Sequence, residues 1–145
     1  MTNGSSTTAM SVVASDTDLI RNLISRSARL LDERKFDEWA ALFMPDGSFN
    51  RTTGRGTLAS NMKKSEMALD LEMMRQHLVV NSEIEVDGPI AKSTSTLLMY
   101  DLVERGNWSL TVGRYDDTFS RTDEGWRLQH RQLTMPDGPP NLPKD

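Results

Sequence analysis

Apolar positions in the first third of the chain recur every three or four residues, the spacing of one helix face: Ile20, Leu23, Ile24, Ala28 and Leu31. This spacing predicts a helix over residues 16–34. Ser15 stands three residues before Asp18, which is the sequence pattern of a capping box and predicts where the helix begins. We therefore expect the chain to enter its first element at this serine.

A second apolar face follows and consists of Phe36, Trp39, Ala40 and Phe43. It predicts a short helix that is ended by the turn-forming run at 45–47, with Trp39 and Phe43 as core residues of that helix. Residues 48–53 are then interpreted as a short strand. The segment 58–76 is rich in Met, Leu, Lys and Glu and has no internal Gly or Pro, which predicts a third helix.

The second half of the chain changes from helical spacing to β-rich runs separated by turn residues. The runs cover 77–86, 91–103, 108–121 and 126–135, and the dipeptide Asp87-Gly88 is one of the hairpin signals between them. Helices followed by an antiparallel meander are typical of an α+β fold. We expect the helices to pack on one face of a curved sheet.

The length of 145 residues fits one domain, which we place at 16–135. The Ser/Thr-rich stretch 1–15 has neither a basic start nor a continuous apolar run, so it is interpreted as a disordered leader rather than a signal peptide. The stretch 136–145 holds four of the six prolines and predicts a loose tail. No later segment resembles a membrane span.

Charge and composition exclude several classes of function. The formal charge of −4 offers no basic stripe, so we expect no nucleic acid partner. The absence of cysteine excludes disulfides and thiol nucleophiles and favours the cytoplasm. His77 and His130, the two histidines, have no metal-ligand spacing, and no Gly-rich phosphate loop follows a strand. We therefore expect no metal and no other cofactor.

Four runs carry a resemblance to a known family: LLDERKFDEW at 30–39, QHLVVN at 76–81, GRYDDTF at 113–119 and DEGWRL at 123–128. In order and spacing they resemble SnoaL-like proteins of the nuclear transport factor 2-like superfamily, over residues 16–135. Relatives include scytalone dehydratase, bile-acid dehydratase, polyketide cyclases and the β-subunits of ring-hydroxylating dioxygenases. The resemblance implies a cone-shaped, curved antiparallel sheet with the N-terminal helices packed on its concave face.

The resemblance also implies a catalytic pair. In the family an acidic residue at the end of the first helix faces a histidine at the start of a strand, and Asp32 and His77 match these positions. Histidine exchanges protons near neutral pH, and a carboxylate can orient it and stabilise the imidazolium. The alternative is a structural strand histidine and a solvated carboxylate. Scytalone dehydratase-like enzymes have a tyrosine where this chain has Leu31. They also have a second histidine on the next strand, and this chain has no histidine there.

Other residues are candidates for contacts with a substrate. Tyr100, Tyr115, Asn81 and Arg114 could supply a hydroxyl or stabilise an oxyanion, although such residues more often pack or face solvent. His130 alternates with Trp126 and Leu128, which predicts a place on the apolar face of the last strand. Met74, with the neighbouring methionines Met62, Met67 and Met73, would suit an adaptable apolar wall. The expected ligand is a small hydrophobic or aromatic molecule.

The leading hypothesis is a cofactor-independent lyase or isomerase of the dehydratase or cyclase type, acting on a cyclic or polyketide-like carbonyl compound. One alternative is a non-catalytic assembly protein like the dioxygenase β-subunits. The other is a module that binds a hydrophobic ligand without transforming it. We also expect a homodimer through the outer face of the sheet, because relatives pair there and both strand faces carry apolar residues: Trp108, Leu110 and Val112 against Tyr115 and Phe119.

Overall fold

The computed structural model describes residues 13–67, 74–104 and 106–135. The predicted leader up to residue 12 and the predicted tail at 136–145 lie outside the described residues. In chain order the elements are α1 (Asp16–Asp32), α2 (Phe36–Ala40), β1 (Phe43–Phe49), β2 (Thr52–Thr53), α3 (Arg55–Met67), β3 (Arg75–Asp87), β4 (Ile90–Glu104), β5 (Asn107–Thr122) and β6 (Gly125–Thr134). Each of the four predicted β-runs corresponds to one of the strands β3 to β6.

Helix α1 begins where the sequence predicts. The hydroxyl of Ser15 accepts a hydrogen bond from the Asp18 backbone N–H at 3.1 Å, which satisfies one of the free donors of the first turn. The apolar face of the helix is buried against the sheet, with Ile20 fully enclosed. The helix ends at Asp32, two residues before the predicted boundary.

The prediction for residues 36–53 is wrong in its boundaries. Helix α2 has only five residues, and Phe43 starts strand β1, which continues through Pro45 and Gly47 instead of turning there. Gly47 fits because a Cβ at this position would lie 3.0 Å from the backbone oxygen of Leu128 in β6. This close approach of two backbones explains why a turn-like sequence occupies a strand.

Helix α3 and strand β3 also differ from the predicted boundary. The helix begins at Arg55, and its described part ends at Met67. The predicted helix extends to residue 76, whereas Arg75 and Gln76 are the first two residues of β3. They pair with Asp101 and Tyr100 of β4, so long-range strand pairing overrides the local helix propensity.

The sheet has the strand order β2-β1-β6-β5-β4-β3. Strands β3 to β6 form the predicted antiparallel meander, whereas β1 runs parallel to β6, which makes the sheet mixed. It is curved and unclosed, with helices against it, so the predicted α+β class is confirmed. None of the helices in the described ranges is long and apolar enough to cross a membrane.

The core between the helices and the sheet contains Trp39 and Phe43, as predicted. Both side chains are fully buried, and their rings meet edge to face with centroids 5.1 Å apart. Phe119 and Leu128 close the core from the sheet side. The two aromatic residues therefore share one core although they belong to different elements.

The opposite, outer face of the sheet carries an apolar patch. Strand register places its members in neighbouring rows across β3, β4 and β5: Leu78, Leu98, Leu102, Trp108, Leu110 and Val112. The side chains of Trp108 and Leu110 are 55% and 49% exposed, which is unusual for large apolar residues. We call these six residues the outer patch.

Candidate active site

Asp32 and His77 are in direct contact. Asp32 is the last residue of α1, and His77 is the third residue of the edge strand β3. The His77 Nδ1 atom lies 2.7 Å from Asp32 Oδ1, and the backbone N–H of His77 donates to the same oxygen at 2.9 Å. The side chain of His77 is 5% exposed, and that of Asp32 is 22% exposed. The hydrogen bond predicted from the resemblance is thus present, and its catalytic use stays a prediction.

The contact determines which nitrogen of His77 can act as a base. An ionised carboxylate only accepts hydrogen bonds, so Nδ1 carries the hydrogen that it donates to Asp32. In the neutral ring the Nε2 atom is then the basic nitrogen. No described residue forms a hydrogen bond with Nε2. The arrangement can therefore accept a proton at one defined atom.

Two clefts meet at Asp32. One has a volume of about 330 Å³, lies between α1 and β3, and is lined by both Asp32 and His77 together with Ala28 and Val79. The other has a volume of about 450 Å³ and is lined by Leu31, Asp32, Arg34, Glu66, Met67, Met74 and Arg75. A ligand in either cleft would be next to the carboxylate that holds His77.

A second charged group lies beside the pair on the same face of β3. Arg75 forms a two-pronged ion pair with Asp101 of β4, with nitrogen–oxygen distances of 2.6 and 2.9 Å. Its third contact is with Glu66 of α3 at 3.1 Å. The hydrogen bond with Asp101 is the main cause that raises the pKa of Arg75, against the effect of burial. Arg75 thereby connects α3 to the two strands.

A buried ion pair lies on the inner face of β5 and β6. Arg131 binds Asp117 through two contacts of 2.8 and 2.9 Å, donates to the hydroxyl of Ser27 at 3.1 Å, and stacks on the ring of Tyr115 at 3.9 Å. Burial is the largest single effect on the pKa of Arg131 and lowers it, but the Asp117 carboxylate and Tyr115 together more than offset this, so the pKa is raised. Burial is also the main cause that raises the pKa of Tyr115.

The other predicted ligand contacts do not converge on the Asp32–His77 pair. Tyr115 is on the inner face but is covered by Arg131. Tyr100 pairs with Gln76 and Leu110, which places it on the outer face, opposite to His77. The predicted role of Tyr100 as a ligand contact is therefore not retained.

Arg114, Asn81 and Met74 are all on or near the surface. Arg114 is largely exposed and pairs with Asp116 at 2.8 Å on the outer side of β5, which does not fit its predicted role. Asn81 is exposed, has a left-handed φ of 54°, and lies at the irregularity between β3 and β4. Met74 is exposed but lines the 450 Å³ cleft, where a ligand could reach it.

His130 does not share a face with Trp126 and Leu128, so this prediction is wrong. Leu128 pairs with Phe119, but His130 pairs with Thr118, which leaves Gln129 as an extra residue and resets the alternation of β6. His130 therefore lies on the outer face, where its Nδ1 atom is 2.6 Å from the hydroxyl of Ser48. Arg131 takes the inner position instead.

The sequence interpretation missed the buried charged residues Glu66, Asp117 and Arg131 and the partly buried pair Arg75 and Asp101. A usable signal existed for Asp117, because the alternation of Tyr115, Asp117 and Phe119 places all three on one strand face. A carboxylate in that position requires a buried cationic partner. Within the described ranges no group of three or more His, Asp or Glu side chains is arranged to hold a metal ion.

Comparison with protein families gives one match, to the family described as the SnoaL-like domain, over residues 12–132. None of the curated proteins matches the sequence significantly. The family match covers the elements of the described residues, α1 to β6, except the last two residues of β6.

Three solved structures illustrate the similarity in fold. An NTF2-like protein with a cystatin-like fold from Novosphingobium aromaticivorans is 24% identical with a TM-score of 0.74, covering 86% of this chain and 84% of that one. ActVI-ORFA from Streptomyces coelicolor is 18% identical with a TM-score of 0.76, covering 87% and 98%. A candidate scytalone dehydratase from N. aromaticivorans is 21% identical with a TM-score of 0.72, covering 83% and 84%.

Proposed function

The chain belongs to the SnoaL-like domain family, and from this premise we propose that it is a cofactor-independent lyase or isomerase acting on a small hydrophobic cyclic carbonyl compound. The observation that carries the proposal is the 2.7 Å contact between Asp32 and His77 at the junction of two clefts. The similarity to a candidate scytalone dehydratase supports the same class of reaction.

The proposed first step is proton abstraction from the carbon next to the carbonyl group. The Nε2 atom of His77 accepts this proton, and the electron pair moves onto the carbonyl oxygen to give an enolate. Asp32 stabilises the imidazolium through Nδ1, as the carboxylate does in a histidine-containing triad. General acid–base catalysis of this kind typically contributes about 10²–10⁴-fold to the rate.

The second step returns the proton from Nε2. If the proton goes to a hydroxyl group on the neighbouring carbon, that group leaves as water and the reaction is a dehydration. If the substrate also has a carbon–carbon double bond conjugated with the enolate, the proton can go to the far carbon of the resulting dienolate, the double bond shifts, and the reaction is an isomerisation. Both outcomes require the same two residues, so one assay of the first step tests them together.

The ligand-binding module is the second candidate, and one observation favours it. Asp32 Oδ1 accepts the backbone N–H of His77 as well as its ring, so the contact also fixes the end of α1 against the edge strand. A purely structural pair would need the same geometry. Under this alternative the clefts hold a hydrophobic molecule without changing it.

The experiment is carbon–hydrogen exchange in D₂O, followed by proton NMR on 2-tetralone and similar cyclic ketones. Wild type should accelerate loss of the proton next to the carbonyl, since this exchange needs only the first step. His77→Ala and Asp32→Asn should each remove most of the acceleration. The matched control is His130→Ala, because His130 is the other histidine and lies on the outer face. Equal rates for wild type and His77→Ala would refute the proposal.

We propose in addition that the protein is a homodimer through the outer patch. The patch joins three neighbouring strands, and its largest member, Trp108, is more than half exposed. Monomeric proteins rarely expose contiguous apolar patches of this kind without a partner. A second copy would cover the patch with the same residues in an isologous contact.

A further inference from the structure

Helix α1 ends in a backbone motif that places an arginine in an unfavourable conformation. The N–H of Arg34 donates to the oxygen of Leu31 at 3.0 Å, and the N–H of Lys35 donates to the oxygen of Leu30 at 2.8 Å, which is the Schellman pattern. Arg34 occupies the left-handed position with φ of 58°. Glycine is the usual residue there because a Cβ disfavours this conformation. Arginine is therefore an uncommon residue for this position.

The side chain of Arg34 lies beside the candidate site. It lines the 450 Å³ cleft together with Asp32, Met67 and Met74, and it also lines an adjoining cleft of about 640 Å³ on the other side. Asp32 and Arg34 are two residues apart, so their Cα atoms lie within about 7 Å of each other. A small ligand can therefore reach both residues at once.

The guanidinium of Arg34 has no carboxylate partner in the described part of the chain. Among the described residues its polar contact is a weak hydrogen bond from Nη1 to the sulfur of Met67 at 3.5 Å. In the same cleft Arg75 forms ion pairs with Glu66 and Asp101, and Asp32 accepts hydrogen bonds from His77. Among the described residues that line this cleft, Arg34 is thus the cation without a carboxylate at ion-pair distance.

In the adjoining cleft no described carboxylate lies at ion-pair distance from Arg34 either. Lys35 pairs with Glu33 at 3.2 Å, and Glu38 pairs with Arg26 at 3.7 Å. Asp37 and Lys63 also line this cleft, one of each sign. A guanidinium that has no carboxylate partner among the described residues and lies next to methionine side chains favours an anion attached to an apolar body, because the fork binds oxyanions and the thioether chains pack on apolar groups.

We propose that Arg34 binds an anionic group, such as a carboxylate, on a hydrophobic substrate whose carbonyl end reaches His77. This inference rests on the proposed function, because it names the substrate class of the same site. The anionic group receives charge-assisted hydrogen bonds from the guanidinium. The apolar body packs between Met67 and Met74. Arg34 is a specificity-determining residue in this arrangement and takes no part in the proton transfer.

The test uses two fluorescent probes that share one aromatic framework: 8-anilinonaphthalene-1-sulfonate, which is anionic, and N-phenyl-1-naphthylamine, which is neutral. Wild type should bind the anionic probe more tightly. Arg34→Met should weaken that binding by about tenfold or more, as expected for a lost charge-assisted contact, and should leave the neutral probe unchanged. Arg34→Lys should recover part of the loss. Arg26→Met replaces an exposed arginine of α1; it is the control and should change the binding of neither probe.

The outcomes separate this inference from the proposed function. Three results would overturn the anion site. They are an equal loss of affinity for both probes in Arg34→Met, no loss of affinity in Arg34→Met, and no saturable binding of either probe to wild type. In the exchange assay on neutral 2-tetralone, Arg26→Met is the variant that should keep the rate of wild type. If wild type shows probe selectivity but no exchange, the anion site stands and the proposed function fails.

Discussion

Removing one partner of the buried Asp117–Arg131 ion pair should destabilise the protein far more than removing both. The two side chains are 0% and 1% exposed, and their contacts of 2.8 and 2.9 Å satisfy the carboxylate on both oxygens. Either Arg131→Met or Asp117→Leu leaves the other charge in the core without a counterion. Such a change typically costs about 3–5 kcal/mol, which is a large part of the about 5–15 kcal/mol of a whole domain.

The double variant Asp117→Leu/Arg131→Met removes both charges and leaves apolar side chains in the core. Replacement of buried ion pairs by apolar residues is often neutral or even stabilising. The double variant should therefore unfold at a higher denaturant concentration than either single variant. This non-additive result follows from the burial of the pair and does not depend on any catalytic role.

The assay is urea unfolding followed by circular dichroism at one fixed protein concentration, since a dimer makes stability concentration-dependent. With an m-value of about 2 kcal/mol per M, a loss of 3–5 kcal/mol lowers the midpoint by about 1.5–2.5 M. The control is Arg114→Met, which breaks an arginine–aspartate contact of the same 2.8 Å length on the exposed side of β5. It should cost less than about 1 kcal/mol.

Two results would refute this reasoning. One is a cost below about 1 kcal/mol for Arg131→Met, which would mean that water reaches the Asp117 carboxylate. The other is strict additivity, with the double variant as unstable as the sum of the two single ones. A single variant that does not fold at all sets a lower limit on the cost and agrees with the prediction.

Asp32→Asn and His77→Ala should each lower the exchange rate strongly, and the double variant should be little slower than the worse single one, because residues that act as a unit are non-additive; additive losses would contradict a shared step. Leu110→Glu in the outer patch should convert the proposed dimer into a monomer, as measured by sedimentation velocity at micromolar concentration. A monomeric wild type under the same conditions would contradict the proposed dimer. Burial raises the pKa of Tyr115, so the folded state prefers the neutral phenol. The stabilisation from this preference should be complete below about pH 10 and decrease above it. In urea unfolding at increasing pH, the free energy of unfolding should therefore decrease less for Tyr115→Phe than for wild type. Trp39→Ala should cost about 3–5 kcal/mol in the same unfolding assay, since the indole is fully buried, and a cost below about 1 kcal/mol would contradict the core position.

The pattern of neighbouring residues was enough to predict those elements that are determined by hydrophobic spacing, capping residues and turn residues. The spacing of Ile20 and Ile24 and the cap at Ser15 define α1, and a β-rich run between turn residues defines β5. The parallel pairing of β1 with β6 was not predictable in this way. It depends on the fit of Gly47 against the backbone of Leu128, which is 81 positions away in the chain.

The candidate site also combines features that were predictable from the sequence with features that were not. Asp32 and His77 were selected by resemblance, because no periodicity relates two residues that are 45 positions apart. Alternation alone placed His130 on the wrong face, since one extra residue in β6 reverses the alternation. Arg34 carried no signal in the sequence, because its left-handed backbone and its position in the cleft are properties of the folded chain.

The contact between Asp32 and the backbone N–H of His77 also affects how the molecules behave in a concentrated solution. Strand β3 is an edge of an unclosed sheet, and unpaired backbone groups on an edge can pair with a strand of another molecule. Asp32 occupies one of the donors of this edge, and Arg21 of the same helix donates to the Ser82 oxygen further along it. Helix α1 thus shields the edge from strand addition. A change at Asp32 that removes the acceptor oxygen would expose a site for aggregation, independently of any effect on catalysis.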